Sequence, residues 1–234
     1  MKTQLTTGIF TQAVAQAGVA ATLIVSLLTI GFFAIEPQIG HSAESVDFRV
    51  RQTITDETSF SVNPSNVTMN GGIAGLTGGT ATGTTGFVVR STNASGYSVT
   101  IDFYDNAGLY AMLGDEDGGE EIRDYALGAG TPTFNMTAST AAQFAYSVHS
   151  SSTADSADVF WTNGTTCNSG AGSSYGKCWK SPSTSAIEVV NRNTSATAGA
   201  TSTLVFKVHV PSGATPTPTA QTYTATATLS VVAQ

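Results

Sequence analysis

Apolar and polar side chains take turns along most of this chain. In the closing stretch Tyr223, Ala225, Ala227, Leu229 and Val231 alternate with Thr222, Thr224, Thr226, Thr228 and Ser230. Period two describes a strand with one buried face, because successive Cβ atoms point to opposite sides of a sheet. Threonine is β-branched and polar, so it suits the wet face. The same signal opens the body, where Val46, Phe48 and Val50 alternate with Asp47, Arg49 and Arg51. It returns at 60–62 and 67–69, divided by the turn residues Asn63, Pro64 and Ser65. The Gly/Thr-rich stretch 71–86 reads as a loop or irregular edge. A hairpin is expected from 87–92 and 97–104 around Asn93-Ala94-Ser95-Gly96, with Tyr97, Val99, Ile101 and Phe103 on one face. Further strands are expected at 133–137, 143–149, 158–161, 186–191 and 201–210. One short helix is expected within 107–128. Eight to ten strands with turns between them predict an all-β chain, a single two-sheet β-sandwich with an immunoglobulin-like or jelly-roll path.

The N-terminus sets the expected compartment. From Gly18 to Ile35 the sequence is uncharged, and Glu36-Pro37 ends the run. Its length is at the short end of a membrane span and longer than the usual signal-peptide core. Lys2 and the α-amino group precede it and Glu36 follows, which orients the N-terminus inside. Residues 1–43 are therefore expected to be a cleaved signal peptide or a retained signal-anchor helix, with a cleavage site at His41-Ser42-Ala43. Either way residues 44–234 are exported as one β-sandwich domain, extracellular or at the cell surface. If uncleaved, the helix makes the membrane a partner. Gly31 to Glu36 also match the spacing of a type IV pilin processing site. That family needs its hydrophobic run after the glutamate, and here it lies before.

Composition narrows the function. Of 234 residues only 11% are charged, and the net charge is −7. The nine basic residues form no cluster, which argues against nucleic acid as a partner. A hydrophobic content of 41% is that of a folded chain. Cys167 and Cys178 are the only cysteines, and in an oxidising compartment they would pair.

Three segments carry a resemblance: STNASGYSVTI (91–101), the pair CNSG and GKCW (167–170 and 176–179), and QTYTATATLSVV (221–232). Together with 61–91 they resemble exported, mostly uncharacterised β-rich surface proteins of small-genome candidate-phylum bacteria, of pilin-like or wall-associated kind. The resemblance covers 59–234. It implies a surface-displayed β-sandwich and assigns no activity and no catalytic residue.

The sharpest local feature is acidic. Asp115, Glu116, Asp117, Glu120, Glu121 and Asp124 lie within ten residues. Such a run is either a solvated loop or, through Asp115, Asp117, Glu120 and Glu121, an oxygen-ligand site for Ca²⁺. The spacing is not that of an EF-hand. Gly172-Ser173-Ser174-Tyr175-Gly176 fits the G-x-S-x-G string, which needs a strand before it and a helix after it. Trp161, Tyr175 and Trp179 flank the cysteine loop, either packed in the core or exposed to stack on a sugar. The five N-x-[ST] asparagines, Asn66, Asn93, Asn135, Asn163 and Asn193, read as turn residues. The expected function is a non-enzymatic structural or adhesion protein of the cell surface, with a surface glycan, another protein or its own copies as partner. The alternative is a carbohydrate- or Ca²⁺-binding module. No catalytic residue and no cofactor beyond Ca²⁺ is expected.

Overall fold

The computed structural model describes residues 18, 22–28, 49–104, 110–116, 119–136 and 140–234. The chain divides into two units, Met1–Gln52 and Thr53–Gln234. In the first, Gly18 and residues 22–28 are helical. The rest of 1–43, with Val46 and Phe48, lies outside the described residues. Among the described residues no helix is long and apolar enough to cross a membrane. Arg49, Val50 and Arg51, expected in the first strand, are not in one.

The second unit is all-β and contains two sheets. The larger takes β1 (Thr58–Val62), β2 (Ile73–Ala74), β3 (Gly78–Ser91), β5 (Met112–Gly114), β6 (Glu121–Asp124), β7 (Gln143–Ser150), β9 (Ala196–Val210) and β10 (Tyr223–Ala225). Its order is β1-β3-β9-β7-β6-β5-β10, with β2 on β3. The smaller joins β4 (Tyr97–Phe103), β8 (Ile187–Arg192) and β11 (Ala227–Ala233) in the order β11-β4-β8. Pairing is antiparallel throughout except between β6 and β7.

Inward residues of both sheets form one core. Val99, Ile101 and Phe103 of β4 meet Phe144, Tyr146 and Val148 of β7 and Leu204 and Val208 of β9. Phe103 lies edge-on to Phe144 at 6.0 Å and tilted on Tyr146 at 5.3 Å, geometries that aromatic quadrupoles favour. A second, smaller cluster of Tyr125, Met136, Ala145, Trp179 and Val205 covers the back of the large sheet. Ala145 and Val205 alternate with Phe144, Tyr146, Leu204 and Phe206, so β7 and β9 are covered on both faces. Tyr146 is fully buried, and desolvation pushes its phenol well above the usual tyrosine value.

Several expectations change. The stretch 71–86 holds most of β3, which pairs with β9 from Gly79↔Val210 to Ser91↔Ala196. Its inward residues Ala81, Gly83 and Thr85 are small, so the apolar alternation is faint there. A Cβ on Gly83 would strike the Val67 side chain, so the glycine lets the segment after β1 lie on the sheet. Ser65 N–H donates to Thr85 Oγ1 at 2.8 Å in the same place.

The expected 87–104 hairpin is not formed. β3 and β4 lie in different sheets, and Asn93-Ala94-Ser95-Gly96 is the crossover between them. Asn93 Oδ1 accepts Ser95 N–H at 2.9 Å, as expected of a turn residue. Gly96 has φ +89°, and a Cβ there would collide with the Arg192 carbonyl oxygen. Residues 158–160 form a 3-10 turn rather than a strand. Thr133 makes only an isolated bridge to Trp179. Between 107 and 128 the described residues hold β5, β6 and a single 3-10 turn, Ala126–Gly128. The closing alternation is split at Thr226, β10 pairing with β5 and β11 with β4.

Candidate functional site

A cleft of about 1100 Å³ opens between the sheets beside β11. Leu204, Phe206 and Val208 of β9 form part of its lining, together with Phe103 of β4 and Leu229 of β11. The segments 64–69 and 73–76 and the loop 217–222 complete the lining, Gly75 lying against Pro218. The described lining residues carry no charge. The inward residues of the closing strands, Tyr223, Leu229 and Val231, are consequently only half-buried.

The acidic turn adjoins this cleft through the 217–222 loop. The Glu120 carboxylate accepts Thr219 N–H at 2.8 Å, the Thr219 hydroxyl, and Gln221 Nε2 at 2.7 Å. These bonds, chiefly the Thr219 hydroxyl, hold its pKa below the usual glutamate value. Glu121 accepts Tyr110 N–H at 3.3 Å, and Asp124 accepts Ala111 N–H at 3.1 Å. Asp115 and Glu116 are exposed, while Asp117 lies outside the described residues. Among the described residues no three carboxylates, histidines or cysteines converge as a metal site. A cation on Glu120 and Glu121 would have to share them with the donors that fix β5, β6 and the 217–222 loop.

Cys167 and Cys178 are bonded, with Cα atoms 5.7 Å apart. Cys178 sits in the main core. Its neighbour Trp179 belongs to the back cluster and has Lys207 Nζ 5.3 Å from its ring centre. Trp161 donates its indole N–H to the Ser156 carbonyl at 2.6 Å. Tyr175 is exposed and stands edge-on to His149 at 6.0 Å. The three aromatics are thus spread over different surroundings, two of them packed. Asn163 caps its turn by accepting the N–H groups of Thr165 and Thr166. Removing the disulfide, by Cys167→Ala with Cys178→Ala, is expected to cost about 2–3 kcal/mol, since the closed loop is short. Urea unfolding of the two forms checks this, and an unchanged midpoint would refute it.

The G-x-S-x-G string is flanked by turns, not by the strand and helix an elbow requires. Its Ser173 instead joins a buried hydroxyl chain. Ser173 Oγ lies 2.8 Å from Ser156 Oγ, which donates to Ser150 Oγ at 3.0 Å, and Ser150 Oγ lies 2.8 Å from Ser202 Oγ. Sequence reading missed this chain, because its members come from three separate segments, 150–156, 173 and 202.

His209 is the other polar group to note. Its Nδ1 is 3.0 Å from Thr80 Oγ1, and its Nε2 is buried without a partner. Burial, with Lys207 nearby, lowers its pKa below 6.5. Between the lowered value and 6.5 the unfolded chain binds the proton more readily. Stability is therefore full above pH 6.5 and declines as the pH falls below it. Melting temperature followed from pH 7.5 to 5 should fall less steeply for His209→Gln than for the unaltered chain. Parallel profiles would refute this.

No protein-family model matches the chain, and no curated protein does. The functional reading rests on the residues themselves.

Proposed function

We propose that this chain is a non-enzymatic structural or adhesion protein displayed outside the membrane. The supporting observation is the uncharged cleft beside β11, with Phe103, Leu204, Phe206 and Val208 in its lining. An uncharged cleft with an apolar floor and threonine-rich walls suits capture of an extended polypeptide, through alternate side-chain pockets. The low charge, the threonine-covered strand faces and the disulfide fit a protein living in an oxidising exterior. The finer fold class we assign is a β-sandwich with an immunoglobulin-like or jelly-roll path. Its support is the crossing of the chain between sheets at 93–96 and again at Thr226. The uncharged run 18–35 supports export, through a cleaved signal or a retained anchor. Protease shaving of intact cells, with mass spectrometry of the released peptides and of the mature N-terminus, tests the reading. Peptides from 58–234 are expected in the shaved fraction. Recovery only from the cytoplasm would overturn it.

A further inference from the structure

We propose that the back of the large sheet holds a site for a tetrahedral oxyanion, sulfate or phosphate, built from Arg123, Gln143, Lys207 and His209. The site lies on the face opposite the cleft and goes beyond the surface-protein reading.

Strand register brings the four together. Arg123 of β6 pairs with Gln143 of β7, and Gln143 pairs with His209 of β9. Paired residues project from one face, and Lys207 shares that face two positions before His209. It is the face of Ala145 and Val205, turned away from the main core. Neighbouring strands are about 4.8 Å apart, and the diagonal from Gln143 to Lys207 is about 7–8 Å. Four long side chains at those spacings can meet above Gln143.

These groups lack partners inside the protein. Gln143 is only 6% exposed, and among the described residues its amide makes no hydrogen bond. His209 commits Nδ1 to Thr80 of β3, so Nε2 faces away from β3, toward β7, where it is buried and unpaired. Lys207 rests on the Trp179 ring, and burial lowers its pKa. Arg123 is exposed. Among the described residues the one ion pair joins Arg192 to Asp155, so neither Arg123 nor Lys207 is neutralised. Glu121, on the same face of β6, has its carboxylate engaged by Tyr110 N–H at 3.3 Å. Buried polar groups without partners carry a free-energy cost that a bound acceptor relieves.

The chemistry of the four selects the ligand. Guanidinium, amide, ammonium and the Nε2–H form of imidazole are all N–H donors. Two unopposed cations call for an anion, and charge-assisted bonds from Arg and Lys to oxyanions are the strong kind. Donors converging from three strands suit the four oxygens of a tetrahedral ion better than the flat edge of a carboxylate.

The test uses the full chain, purified in a neutral detergent with isotope-labelled histidine, and nuclear magnetic resonance. Sodium sulfate, titrated at constant ionic strength, is expected to shift the His209 ring nitrogens saturably and to leave those of His149 in place. Arg123→Gln should weaken sulfate binding at least tenfold, as loss of a charge-assisted hydrogen bond requires. Because Arg123 is exposed, that variant should keep the original melting temperature. Gln143→Glu should abolish the shift, and Arg90→Gln, outside the site, should leave it unchanged. Inorganic phosphate and a sulfated galactose are titrated alongside. Equal affinities would support the site with a free ion as ligand, and tighter binding of the sugar would support it with a glycan. A His209 signal that stays fixed up to decimolar sulfate, or moves equally in Arg123→Gln, would overturn the proposal. Acetate binding as tightly as sulfate would overturn the choice of a tetrahedral ion.

Discussion

Removing residues 222–234 will abolish the cooperative unfolding of the sheet domain. The deletion takes one strand from each sheet, β10 from beside β5 and β11 from beside β4. It strips the cover from Ile101 and Phe103 and removes the half-buried Tyr223, Leu229 and Val231. At roughly 25 cal/mol per Å² of apolar area, those three side chains alone contribute several kcal/mol. The lost burial and ladder bonds together rival the whole net stability of about 5–15 kcal/mol for a domain. Circular dichroism melting of the truncated chain beside the intact one is the measurement. A sharp transition at the original temperature would mean that β10 and β11 are not integral.

The second large effect comes from the centre of the small sheet. Phe103→Ala should destabilise by about 3–5 kcal/mol. The ring is buried and touches Phe144 and Tyr146 on the opposite sheet. Because it also borders the cleft, the neighbouring sheet has little with which to refill the space. A fall in melting temperature of roughly 10 °C is expected for a domain of this size. A loss below about 1 kcal/mol would place the core elsewhere. Phe206→Ala, on the half-buried ring stacked 6.2 Å from Phe144, should cost less.

Strand existence was legible in most stretches where large apolar residues alternate, though not at 49–51 or 67–69. Expected strands at 143–149, 186–191 and 201–210 correspond to β7, β8 and β9, and the disulfide pair was readable from its isolation. The failures have physical causes. β3 hid because Gly and Ala fill its inward face where another segment presses close. The 87–104 hairpin was misread because alternation specifies faces and not partners. Asn93 and Gly96 build a crossover as readily as a tight turn. β10 and β11 keep one alternation across a change of sheet, so periodicity cannot mark the break at Thr226. The cleft was invisible, since it follows from how far one sheet covers the other. The acidic residues were found, but their bonds to Thr219, Gln221 and Tyr110 link positions far apart in sequence.

The long ladder between β3 and β9 also governs when this protein can fold. Every register pair in it joins residues more than a hundred positions apart. Loop-closure entropy must be paid before any of those pairs forms, so such topologies fold slowly. β7 and β11 likewise wait for partners made much later or much earlier in synthesis. A nascent chain that has emerged only as far as residue 190 lacks β9, the strand that joins β3 to β7 in its main sheet. The long ladder therefore cannot form until almost the whole domain has been synthesised.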